Sequence, residues 1–126
     1  MQTTARPASG EDCDDCPPDI ATMRSSARRF LTEDAFLPSS LELETLMLQL
    51  RGHMQLLIPD VEQLIARLPH DDVPRYCALA CVGEARRKLG IARHFGLDAG
   101  IAHARRLARS LNALCDHYEN FSDVRS

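Results

Sequence analysis

The sequence predicts an all-α fold, an antiparallel helical bundle of three long helices plus one short N-terminal helix. Two observations carry that expectation. From Leu43 to Leu68 apolar residues recur at three- and four-residue steps, the period of a helix that buries one face. Between Asp19 and Phe121, proline, glycine and capping signals divide the chain into helical stretches, with no alternating apolar and polar run and no Asn-Gly hairpin turn.

Each element follows from its local chemistry. Residues 1–19 hold five acids and three prolines with almost nothing to bury, and are expected to be a disordered acidic leader. Asp19 can cap a short helix from about Ile20 to Leu31, with Ile20, Met23, Ala27, Phe30 and Leu31 at helical spacing. Leu37-Pro38 breaks the chain. Ser39 followed by Glu42 is a capping box that opens the next helix, with Leu43 where a hydrophobic staple would sit. That helix carries Leu43, Leu46, Leu50, His53, Leu57, Val61, Leu64 and Leu68 on one stripe. Pro59 lacks a backbone donor and clashes with the preceding turn, so the long second helix is expected to be kinked or broken near Pro59. Asp71 or Asp72 then caps a third helix with Val73, Cys77, Ala80, Cys81, Ala85, Leu89 and Ala92 inward. Gly96 is expected to end it and Asp98 to cap a fourth, whose stripe is Leu97, Ile101, Ala104, Ala108, Leu111, Cys115 and Tyr118. Residues 20–121 thus form a single bundle domain, and 122–126 a frayed tail.

Composition removes several function classes. The chain has 126 residues, room for one domain. Its 44% hydrophobic and 26% charged content is that of a globular protein. A net charge of −3 excludes a generally polybasic coat for nucleic acid or membrane. No apolar run approaches the roughly 20 residues of a membrane span, and the start lacks a signal-peptide core, so a cytoplasmic protein without membrane contact is expected. Cys13, Cys16, Cys77, Cys81 and Cys115 are odd in number, which argues for reduced thiols. Cys13-x-x-Cys16 has the spacing of half a zinc site or a redox pair, but the surrounding carboxylates are expected to keep its thiols protonated.

Two groups of residues are candidate sites. Residues 86–109 carry a local balance of +6 against −9 elsewhere. Arg86, Arg87, Arg93, Arg105, Arg106 and Arg109 form a possible interaction patch for a protein partner or for nucleic-acid phosphates, with a solvated face as the plain alternative. The same stretch superficially has helix-turn-helix spacing, yet its apolar phase is one residue out and would bury Arg105. His53, Cys77, Cys81 and Cys115 form a possible buried polar site, able to take a metal or small ligand if the bundle brings them together; otherwise the cysteines pack as small hydrophobes. Among acids and bases, Glu84, Asp116, His117 and Glu119 lie near apolar faces and are expected in exposed pairs. No phosphate loop, His-Glu-x-x-His, repeated Glu-x-x-His or nucleophile elbow is present, so no catalytic residue, cofactor or metal is assigned. Leu41, Met47, Leu48, Met54 and Leu56 fall outside the main stripe and suggest a second apolar face, hence a homodimer or a partner helix.

The words Leu50-Arg51-Gly52-His53, Leu57-Ile58-Pro59, Cys77-Ala78-Leu79-Ala80-Cys81 and Leu114-Cys115-Asp116-His117-Tyr118-Glu119, taken together, resemble a family of short streptomycete proteins. Its members are labelled as a domain of unknown function or, loosely, as natural product biosynthesis proteins. The similarity runs from about Met23 to Glu119. It implies an actinobacterial setting near specialised metabolism and supplies no catalytic residues. The functional expectation is a non-enzymatic helical interaction protein, an accessory or regulatory adaptor. The alternatives are a DNA-associated regulator using the basic 86–109 region, and a ligand- or metal-binding protein using His53 and the cysteines.

Overall fold

The computed structural model describes residues 17–32, 38–91 and 96–125, which form four helices: α1 (Ile20–Leu31), α2 (Ser40–Ile65), α3 (Val73–Leu89) and α4 (Gly96–Arg125). Residues 1–16 of the leader, with Cys13 and Cys16, and Ala92 and Arg93 lie outside the described residues. No strand occurs among those described. α2 and α4 pack on each other as a central pair. α1 and α3 each touch both of them and not one another. The core is the seam of the central pair, where Leu50, Met54, Leu57 and Val61 of α2 and Leu107, Leu111, Leu114 and Cys115 of α4 are fully buried. α1 adds Met23, Ala27 and Phe30 from one flank; Ala78, Val82 and Ala85 of α3 close the other.

The helix starts are set by short-range hydrogen bonds. Asp19 accepts from the Thr22 backbone N–H at 3.1 Å and from its hydroxyl at 2.7 Å, opening α1. At α2 the capping box is complete: the Glu42 N–H donates to Ser39 Oγ at 3.2 Å, and the Ser39 N–H donates to Glu42 Oε1 at 2.9 Å. α2 then runs without interruption through Pro59 to Ile65, so the expected break there does not occur. Gln55, whose carbonyl Pro59 cannot satisfy, and Pro59 itself are both exposed, and water can take the place of the missing donor.

α3 is rolled from its expected orientation. Val73, Cys77 and Ala80, expected inward, are exposed; Ala78, Val82 and Ala85 are buried, with Cys81 and Leu89 half-buried beside them. Ala85 keeps its inward place, so the helix is turned by less than the roughly 100° of a one-residue shift. The inward face centres on Val82, while Leu79, the larger aliphatic residue near it in the sequence, stays 40% exposed, so the surfaces that α2 and α4 present, rather than side-chain bulk, set the orientation. Asp72 is the N-cap, but its side chain makes no capping bond.

The connection to α4 also differs. α3 ends at Leu89 with Gly90 as its cap, while Gly96, expected to end α3, instead begins α4 with φ +80°, a backbone conformation that a side chain would strain. Asp98 lies inside the first turn of α4 rather than capping it, and there its charge complements the helix dipole. Leu97 is part exposed, while Leu107 and Leu114 join the expected stripe. The helical backbone continues to Arg125.

Candidate interaction surface

α2 is apolar on two sides. Its inner side buries ten residues, among them Met47 and Met54, which the sequence had suggested for a second face. They belong to the core because the contact with both α3 and α4 widens the buried arc of this helix. What remains outside is a narrower row. Leu41, Leu48 and Leu56 are 75%, 71% and 68% exposed, spaced two helical turns apart along about 22 Å of helix. Gly52 lies in the same row, and a Cβ there would meet nothing within 4 Å.

Beside the row, a cavity of about 620 Å³ opens between α2 and the start of α4, with Leu48, Glu44, Arg51, Ile91, Leu97 and the buried His103 in its lining. Arg51 is fixed there, donating to the backbone carbonyls of Leu89, in a short contact, and of Ile91 at 3.4 Å. It thereby closes the C-terminus of α3, where exposed carbonyls and the negative end of the dipole favour a cation. Sequence reasoning assigned Arg51 no role, because its partners lie 38 and 40 residues away.

The possible buried polar site is not assembled. His53 is half-buried between α1 and α2, where Ser26 Oγ lies 3.2 Å from its Nε2, and burial holds its pKa below the ordinary histidine value while Asp19 pulls the other way. It faces a groove of about 630 Å³ shared with Asp19 and Asp60. Cys77 and Cys81 line a different groove, between α3 and α4, and Cys77 is exposed rather than buried. Cys115 is sealed in the core, where burial pushes its thiol up to about 11, and Cys81 is raised for the same reason. Both are therefore protonated thiols at neutral pH, poor nucleophiles and poor ligands. Among the described residues no three His, Cys, Asp or Glu side chains are grouped to hold a metal ion.

The basic segment is divided. Arg86 donates to Glu62 on α2 at 2.7 Å. Arg105 is half-buried, and Arg106 is exposed on another part of α4. Arg87 and Arg109 converge on the α3–α4 groove with Lys88. Of the acids noted in the sequence, Asp116 and Glu119 both accept from Arg24 of α1 at 2.7 Å, with Asn112 a third acceptor at 3.0 Å; together they tie α1 to α4. The carboxylates raise the arginine's pKa. Glu84 lies 3.9 Å from Lys88. His117 is half-buried, packs 5.7 Å from the ring of Phe121, and is held below its ordinary pKa by burial.

Among the described residues no helix is long and apolar enough to cross a membrane. No curated protein and no solved structure matches the chain. A family model does match, over residues 21–123, from the first turn of α1 almost to the end of α4. On that match the chain belongs to DUF6415, a family of unknown function.

Proposed function

We propose that this chain is a non-enzymatic interaction protein, an accessory or regulatory adaptor whose working surface is the outer face of α2. The observation that carries the reading is the row of Leu41, Leu48 and Leu56, each at least two-thirds exposed on a helix whose opposite side is already fully committed to the core. Three leucines left in water forgo roughly 1.5–3 kcal/mol each relative to burial, and the fold gives no internal reason for placing them there. Their spacing supports a second copy of the chain as the partner. Leu41 and Leu56 stand seven and eight residues from Leu48, so a two-fold axis near Leu48 sets Leu41 of one copy against Leu56 of the other. The same axis sets Thr45 against the open Gly52.

The test is sedimentation across micromolar concentrations, comparing the wild type with Leu48→Glu. A concentration-dependent dimer, lost in the variant while its helicity is kept, supports the reading. A wild type that stays monomeric rejects the homodimer. The DNA-associated alternative has weaker support, since Arg86 is spent on Glu62 and Arg105 is half-buried. A setting in actinobacterial specialised metabolism, inside the cytoplasm, belongs to this proposal and rests on the sequence words quoted above.

A further inference from the structure

Three cations of the divided basic segment, Arg87, Lys88 and Arg109, line one concavity. The groove between α3 and α4 has a volume of about 540 Å³, within the common range of roughly 300–1,000 Å³ for small-molecule sites. Arg87 and Lys88 enter from α3 and Arg109 from α4, while Ala80, Cys81 and Ala113 form a low floor of small side chains. Lys88 is held in place: its Nζ donates to Oγ of the buried Ser110 at 2.9 Å and approaches the Arg106 carbonyl at 3.4 Å. The side chains of Arg87 and Arg109 carry no hydrogen bond or ion pair to a described residue. Glu84 is the one acid in the lining, 3.9 Å from Lys88, so the groove keeps an excess of two positive charges.

Cations in the last turn of a helix offset its dipole, which accounts for Arg87 and Lys88 on α3. It does not account for Arg109, which comes from the neighbouring helix and adds like charge to the same space. We propose that this groove binds a small phosphomonoester, its phosphate held by Arg87, Lys88 and Arg109 and its organic part lying over Ala80 and Ala113. Guanidinium groups grip phosphate oxygens in pairs, and a part-buried ammonium adds a point charge at the centre. A duplex backbone calls for cations distributed along a surface, whereas Arg87, Lys88 and Arg109 line a single groove.

The experiment uses the full chain and thermal-shift and calorimetric titration with inorganic phosphate, AMP, glucose 6-phosphate and phosphoserine. Sodium chloride and sulfate at matched ionic strength are the controls. At least one phosphomonoester should raise the thermal midpoint beyond the controls. Arg87→Ala and Arg109→Ala should each weaken its binding by about tenfold or more, the loss of a charge-assisted contact, with helicity kept; Arg109→Ala, at a position away from the last turn of its helix, should also leave the unliganded midpoint unchanged. Bound ligand should also slow alkylation of Cys77, which lines the groove and is exposed, as read by peptide mass spectrometry. The proposal is overturned by a flat response to all four phosphates or by shifts no larger than those of the salts. Binding that survives both arginine substitutions, or that is confined to duplex DNA, also overturns it. None of these outcomes depends on the α2 surface.

Discussion

Helices α2 and α3 both pack against α4, but they are held in their orientations by different means. α2 presents leucine, isoleucine, valine and methionine to the core, and Leu50, Met54, Leu57 and Val61 are fully buried. α3 buries only Ala78, Val82 and Ala85, with Cys81 and Leu89 half-buried beside them, and adds polar contacts through Arg86 to Glu62, Lys88 to Ser110, and Arg51 reaching over from α2 to the carbonyls of Leu89 and Ile91. The contrast teaches that a large-residue helix is oriented by area removed from water, whereas a small-residue helix, which here buries Val82 and leaves Leu79 outside, is oriented by the surfaces it meets and by the partners of its charged edges.

Four measurements break or sharpen that contrast. The largest effect is expected in α2: Leu57→Ala should lower the unfolding free energy by about 2–5 kcal/mol, the cost of lost burial plus a cavity, read from urea denaturation. On α3 the same method tests the roll of the helix. Ala85→Leu should cost about 1–3 kcal/mol by overpacking a site with no exposure, while Ala80→Leu, on the exposed side, should stay within about 0.5 kcal/mol. Equal costs at the two positions would return α3 to the orientation expected from its sequence.

Polar attachment is expected to contribute less. Arg24→Ala removes two ion pairs whose acidic partners are more than half exposed, so the global loss should be about 1 kcal/mol or below. Hydrogen exchange should show faster opening of α1, with α2 unaffected; equal acceleration in both would mean that α1 does not move as a separate flank. The smallest effect is in pH. His53 has a folded pKa below the ordinary value of 6.5 because burial outweighs the pull of Asp19. Protons therefore bind the unfolded chain first, so the stability His53 contributes is complete above about pH 6.5 and declines as pH falls through the window below it. His117 acts in the same direction. His53→Gln should flatten part of the decline between pH 7 and 5, and an unchanged slope would assign all of it elsewhere.

Much of the fold is legible in the sequence because its cues act within a turn or two of helix. The Asp19 cap, the Ser39–Glu42 capping box and the three- and four-residue recurrence of leucines give α1 and α2 their limits and inner faces with no reference to the rest of the chain. The large residues that stay outside, Leu41, Leu48 and Leu56, are visible in the same way, although Met47 and Met54 had to be placed before the row could be narrowed to three. What depended on packing was every choice between side chains of similar size or between distant partners. Alanine and cysteine alternate around α3, so either face fits a helical pattern, and the choice fell to the surface that α2 and α4 present to it. Arg24 finds Asp116 and Glu119 across 92 and 95 residues, and the candidate polar residues His53, Cys77, Cys81 and Cys115 disperse to two grooves and the core. Capping and hydrophobic period are local properties of a chain, whereas the meeting of Arg87 and Lys88 with Arg109 depends on the relative rotation of two helices, which the packing of the bundle sets.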